Sequence, residues 1–303
     1  MPANIRDLRR RIRATQSIGK ITRAMEMIAA SKMRKAQQAA VRSKAYAATS
    51  WELLQALGAA IPKDQSLHPL LKSGDRGVPL VVLITPNRGL CGALPTQIVQ
   101  EGSRKAESDS QFMAIGKKGE RALLRRKKNL VASFDGFEAA PNAVDIRPIA
   151  RTIIDLFLSE EINEVRLVYA EFISTVKYEP RALALLPISG TGNQKSEIST
   201  EYLFEPNPAE VLDALLPRLI ELEIYQAILE SLASEHSARM VSMRNASDAA
   251  RDLLGDFTLT YNSLRQQVIT TELADIVGGL KALRAWPQNY RNLIHIFVKI
   301  RTS

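Results

Sequence analysis

One stretch of this chain has the residue types and position of a chemical site. PNRGLCGAL, residues 86–94, follows an apolar run and precedes a helical pattern, where a phosphate-cradling loop would lie. Its glycines, Gly89 and Gly92, match neither G-x-G-x-x-G nor G-x-x-x-x-G-K-[ST]. No lysine follows them to reach a phosphate, and no clear acidic residue is placed for a ribose. The alternative is a tight strand-to-helix turn in which the two glycines permit close packing. Cys91 is a candidate thiol at a helix N-terminus, but no histidine lies near it in sequence. His68, His236 and His295 are scattered and give no metal-ligand spacing, and a lone cysteine excludes both an intrachain disulfide and a cysteine-rich zinc site. That cysteine usage fits a reducing compartment. The residues therefore offer no catalytic set, no metal and no cofactor.

Charge is the stronger signal. The 303 residues carry a formal net charge of +9, with a pI near 9.7 and 46% hydrophobic residues, enough to bury a sizeable core. A basic balance speaks to partners, not to fold. It is concentrated in SIGKITRAMEMIAASKMRKAQ, residues 17–37, where Lys20, Arg23, Lys32, Arg34 and Lys35 face a single acid, Glu26. Nucleic acid would want a basic stripe with aromatics, and no aromatic precedes Tyr46. A lipid surface would want bulky anchors opposite the charge. Small residues and adaptable methionines suit a protein partner better. No apolar run approaches the roughly 20 residues of a membrane helix, and nothing resembles a secretory signal.

The elements that position these residues divide the chain in three. Residues 3–58 read as one helix with apolar residues at Ile5, Leu8, Ile12, Ile18, Ile21, Met25 and Ile28, capped by Asn4 and ended by Gly58 and Pro62. Residues 75–200 change period. Strands are expected at 78–85, 111–116, 164–172 and 181–188, with helices at 117–127 and 145–161 and a polar linker at 189–200. Residues 208–283 are helical again. Two heptad seams, one from Leu212 through Leu254, Tyr261 and Val268 and one from Leu215 through His236, Phe257 and Leu264, mark a coiled coil. Pro217 is expected to interrupt its first turns. The fold class is α/β with long terminal helices: an antiparallel coiled coil of the N- and C-terminal helices plus a Rossmann-like α/β domain. The expected divisions are 1–60, 75–200, 208–283 and an atypical extension, 284–303. His236, alone on its seam, reads as packed or hydrogen-bonded. Arg265, Gln266, Thr270 and Glu272 read either as helix surface or as a contact strip.

KITRAMEMIAASKMRKAQ (20–37), NRGLCGAL (87–94), YLFEPNP (202–208), ILESLASEHSARMVSMRNASDAA (228–250) and YNSLRQQVITTELADIVGG (261–279) resemble the gamma subunit of the rotary F-type ATP synthase. The resemblance spans roughly residues 3–283. It implies a non-catalytic central-stalk rotor: terminal helices inside a ring of three alpha and three beta subunits, and an α/β foot on the membrane c ring beside epsilon. Ion flow would turn the c ring and this shaft, driving ATP synthesis or following hydrolysis, with the catalytic sites on beta. Lys20, Arg23, Met25 and Arg239 would meet an acidic beta loop. Arg265, Gln266, Thr270 and Glu272 would hydrogen-bond another beta loop. Tyr202, Phe204 and Glu205 would lie near epsilon and the c ring. The resemblance implies no nucleic acid partner, and membrane attachment only through the c ring.

Two departures stand out. Chloroplast relatives carry an inserted segment with a cysteine pair, and this chain has Cys91 alone. RAWPQNYRNLIHIFVKIRTS (284–303) follows the segment where the family usually ends; Pro287 should break the helix, and LIHIFVKI is β-prone. With no transit segment and no insert, the expected place is the cytoplasmic face of a bacterial plasma membrane. Two other classes remain open: a nucleotide-binding α/β enzyme with helical arms, and a basic coiled-coil nucleic-acid binder.

Overall fold

A computed structural model describes residues 5–60, 68–72, 77–188 and 203–285. Asn4, the linker at 189–200, Tyr202 and residues 286–303 lie outside them. The chain divides into two compact units, residues 22–245 and residues 1–21 with 246–303.

The larger unit is built on a five-stranded sheet of order β3-β2-β1-β4-β5. β1 (Val78–Ile84), β2 (Gln111–Ile115), β3 (Leu130–Phe134) and β4 (Ile162–Phe172) run parallel, joined by helices α2 (Leu94–Lys105), α3 (Lys117–Arg125) and α4 (Ala143–Leu158). β5 (Tyr178–Leu186) pairs antiparallel with β4, because the five residues between them are too few for a crossover. β1 is the central strand, and its VPLVVLI run is apolar at every position because both faces are covered. Leu80, Val82 and Ile84 point into one core with Met113, Leu167 and Ile153. Val81 and Leu83 point into the other with Ile98, Phe112 and Val168. This period of two is the strand's own geometry. β3 was not expected from the sequence. Its five residues, LVASF, alternate between half-buried and exposed at the sheet edge, and a lysine and arginine run precedes them.

α1 (Ile5–Ala60) is a proline-free helix of 56 residues, roughly 84 Å long at 1.5 Å per residue. α5 (Pro208–Ala285) has 78 residues. In the smaller unit Arg9 meets Tyr261, and a Cβ added at Gly19 would touch Ala250. In the larger one Glu26 meets Arg244, and Trp51 meets Glu223. Within each unit, rising numbers on α1 meet falling numbers on α5, so the helices are antiparallel.

Two sequence expectations for these helices are corrected. Pro217 does not interrupt α5, which passes through it unbroken. A proline inside a helix costs about 3 kcal/mol. Leu212, Leu216, Leu219, Ile220 and Ile224 are all buried on the same turns, and full burial of such a side chain contributes about 1.5–3 kcal/mol, so burial wins. The seam of α1 is also not the bulky series. Ile18, Ile21 and Ile28 are 53%, 58% and 58% exposed. The buried positions step by sevens through Leu8, Thr22, Ala29 and Ala36, with half-buried Thr15 in the same series. The small side chains of Thr15, Thr22, Ala29 and Ala36 let two helix backbones approach, and Ile18, Ile21 and Ile28 are left outside, although Leu8 and Met33 are buried.

Candidate functional site: the sheet edge and the helix faces

In open α/β sheets, ligands bind beyond the carboxyl ends of the strands where strand order reverses. Here that point lies between β1 and β4, and α5 fills it. Ser234 Oγ donates to the Ala170 carbonyl near the end of β4 at 3.0 Å. Ser237 Oγ donates to the Thr175 carbonyl in the following turn. The Arg239 guanidinium donates to the Gly89 carbonyl at 3.3 Å, in the turn that leaves β1. The neighbouring ends are closed by the sheet's own residues. Asn87 accepts from the Lys117 and Gly136 amides and donates to the Gly136 carbonyl at 2.8 Å. Thr85 Oγ1 accepts from the Gly119 amide at 2.8 Å. Gly116, at φ 104, is held so close to the Thr85 carbonyl that no side chain fits. Gly92, at φ 62, supplies the left-handed conformation of this turn, and the Gly89 carbonyl is bonded to Arg239, so the turn serves the contact with α5. Cys91 is buried in that turn, and burial pushes its thiol up, away from the thiolate a nucleophile needs.

The α5 residues at this edge form a polar core. Ser234, Glu235, His236 and Ser237 are consecutive and all buried. Glu235 Oε1 accepts from Arg239 at 2.7 Å, and each side chain is only 11% exposed. Burial raises the Glu235 carboxyl, and Arg239 opposes the shift. His236 bonds the Glu138 backbone, and its Nδ1 lies 3.1 Å from Arg239. Burial first, then the Arg239 and Lys32 charges, lower it to about 4, so it is neutral at pH 7. A neutral ring can accept from Arg239 at Nδ1.

The remaining predicted site residues lie on helix faces. Lys20 and Arg23 are exposed on α1 and form no ion pair among the described residues; Met25 is half-buried. Glu26, the only acid of that stretch, is paired with Arg244 at 3.2 Å, which leaves the outer face basic. Arg265, Gln266, Thr270 and Glu272 are exposed on α5, with Thr270 Oγ1 bonded back to the Gln266 carbonyl. Phe204 is half-buried against the main core and Glu205 is exposed, while Tyr202 falls outside the described residues. Sequence reasoning did not find the apolar groups beside them. Ile18, Ile21, Met27 and Ile28 are exposed on α1, and Val268, Ile269, Leu273, Ile276, Val277 and Leu280 on α5. Past Leu264 every α5 residue to 282 is exposed. Apolar surface on this scale marks a protein interface. Among the described residues no cluster could hold a metal ion, and no helix is long and apolar enough to cross a membrane.

Comparison with known proteins gives these surfaces their setting. The profile of the ATP synthase family matches residues 4–283. The gamma chain of Dehalococcoides mccartyi ATP synthase is 44% identical over 284 residues, which cover 93% of this chain and 99% of that one. The chain belongs to the ATP synthase gamma chain family. The gamma chain of Herpetosiphon aurantiacus is 41% identical over 293 residues, covering 93% of this chain and 99% of its own. Among solved structures, a chain of the central stalk and c-ring of Tetrahymena thermophila mitochondrial ATP synthase matches with TM-score 0.58 and 26% identity, covering 75% of this chain and 99% of that chain. A chain from the Euglena gracilis mitochondrial enzyme has the same fold at TM-score 0.67 and 20% identity, covering 93% and 95%. Gamma chains are non-catalytic stalk subunits, in accord with a filled crevice and a buried thiol. The nucleotide-enzyme reading is not favoured.

Proposed function

We propose that this chain is the central-stalk rotor of an F-type ATP synthase, carrying torque between a membrane c ring and a head of three alpha and three beta subunits. It couples ion flow to ATP synthesis or hydrolysis and regulates ATPase activity, while beta performs the chemistry. The observation that carries this reading is an antiparallel helix pair whose outer faces are basic and apolar and exposed among the described residues, in a member of the gamma chain family. Its working divisions are two shaft helices, 1–60 and 208–283, forming an asymmetric coiled coil, a foot at 75–200, and the extension 284–303. The complex sits on the cytoplasmic face of a bacterial plasma membrane, and this chain reaches the membrane only through the c ring.

Lys20, Arg23 and Met25 meet an acidic beta loop as the shaft turns. Exposed ion pairs contribute about 0–1 kcal/mol each, so they exchange among three equivalent loops without trapping the rotor. Arg265, Gln266, Thr270 and Glu272 contact beta near the α5 tip, and Tyr202, Phe204 and Glu205 face epsilon and the c ring. Arg239, by resemblance a fourth residue at the acidic loop, has its guanidinium committed inside the chain.

Co-expression with the alpha and beta subunits of the same organism, followed by native mass spectrometry, tests the reading. One copy of this chain per six large subunits is expected. No association, with nucleotide bound by the isolated chain, would overturn it.

A further inference from the structure

The crevice between β1 and β4 is occupied by a fastening. Four consecutive α5 residues, Ser234 to Ser237, are buried where a helix would ordinarily bury apolar side chains. Buried polar groups are costly unless bonded. Here both serines find their partners outside the helix, and Arg239, whose shortest bond is to Glu235 within it, also reaches beyond it. Ser234 and Ser237 reach the Ala170 and Thr175 carbonyls, and Arg239 reaches the Gly89 carbonyl and, at 3.5 Å, that of Arg88. All four acceptors are backbone carbonyls, one in β4 and three in the turns that leave β4 and β1, so they cannot swing away as side chains would. Glu235 and His236 steer the guanidinium, one by an ion pair and one by a ring nitrogen. One turn further along α5, a Cβ built at Gly92 would lie 3.6 Å from Ser242 Oγ, so the β1–α2 turn follows the helix closely.

We propose that Ser234, Ser237 and Arg239 are positioning residues that lock α5 to the sheet, so that torque passes between the α/β fold and the long helix through these bonds. The proposal rests on the rotor reading and adds to it the place where the foot grips the shaft. It assigns Arg239 to internal coupling instead of to a beta contact.

The test uses the assembled, membrane-bound complex and compares ATP-driven ion uptake into inverted vesicles with ATP hydrolysis in the same vesicles. In Ser234→Ala/Ser237→Ala/Arg239→Gln, ion uptake per ATP hydrolysed should fall at least threefold, because a loosened grip slips under load. A Gly92→Cys/Ser242→Cys pair, added to that variant in a Cys91→Ala background, should restore coupling when oxidised and lose it when reduced. The reduced form is its own control for any strain at Gly92. A merely structural defect would not be rescued by a single cross-link at this seam. Unchanged coupling in an assembled triple variant would overturn the proposal. If the triple variant does not assemble, Ser234→Ala/Ser237→Ala, which removes only two hydroxyls, decides by the same ratio. Failure of the unmodified chain to enter the complex would instead sink the rotor reading.

Discussion

Arg244 Nε donates to Glu26 Oε1 at 3.2 Å, an ion pair that joins α5 to α1 and removes the single acid from the basic stretch 17–37. Glu26 is largely buried, with its second oxygen unbonded, whereas Arg244 is mostly exposed. The two ends are therefore unequal. Arg244→Ala leaves a largely buried carboxylate unpaired and should destabilise the chain by about 1–3 kcal/mol. Glu26→Gln, which frees an exposed guanidinium to water, should cost less than about 1 kcal/mol. Thermal unfolding of the two variants side by side checks the order.

The α1 seam makes a sharper contrast. Ala29 is 2% exposed and Ile21 is 58% exposed. Ala29→Leu should destabilise the helix pair by about 1–3 kcal/mol through overpacking. Ile21→Ser should shift stability by no more than about 0.5 kcal/mol yet weaken assembly with the head subunits. Denaturant titration of the chain and native mass spectrometry of the complex separate the two effects.

That contrast also shows what was legible in the sequence. The switch from helical period to apolar strand runs and back revealed the α/β insert between two long helices, because each element repeats its own geometry over many residues. β3 was hidden because edge residues such as Val131 and Ser133 stay exposed, and their alternation is too short to register. Ile18, Ile21 and Ile28 misled because hydrophobicity identifies what avoids water, not which neighbour covers it, and here all three are exposed. Pro217 misled because a local penalty was weighed without the surrounding burial. The exposed basic positions on α1 could be read from charge alone. The fastening at Ser234, Ser237 and Arg239 could not: two mid-helix serines carry no signal until the sheet edge stands beside them.

The polar core predicts a pH response. Burial first, then the Arg239 and Lys32 charges, lower His236 from an ordinary 6.5 to about 4, while Glu138 opposes the shift. A depressed histidine contributes stability that is fully present above pH 6.5 and is lost as pH falls towards 4, on the order of 3 kcal/mol in all. Glu235, raised by burial, acts in the opposite sense, favouring the folded state as pH falls below its folded pKa. Urea midpoints should fall between pH 7 and pH 5, and His236→Gln should flatten that slope. An equal slope in the variant would show that His236 is not the titrating group.

Cys91 should be inert. It is 1% exposed and its thiol is raised by burial. A soluble thiol reagent should label it only in denaturant, at least a hundredfold faster than in the folded chain. Fast labelling of the native chain would mean that the 86–94 turn opens.

Rotation of this chain within the head is measurable because Cys91 is buried. Ser108 is exposed in the turn between α2 and β2, and Ser108→Cys gives a single reactive handle for a visible probe. With the alpha and beta head fixed to a surface and ATP supplied, the probe should turn in one direction, pausing three times per revolution, one pause for each beta subunit. A probe that stays still while the immobilised head hydrolyses ATP at its full rate would show that this chain is not a rotor.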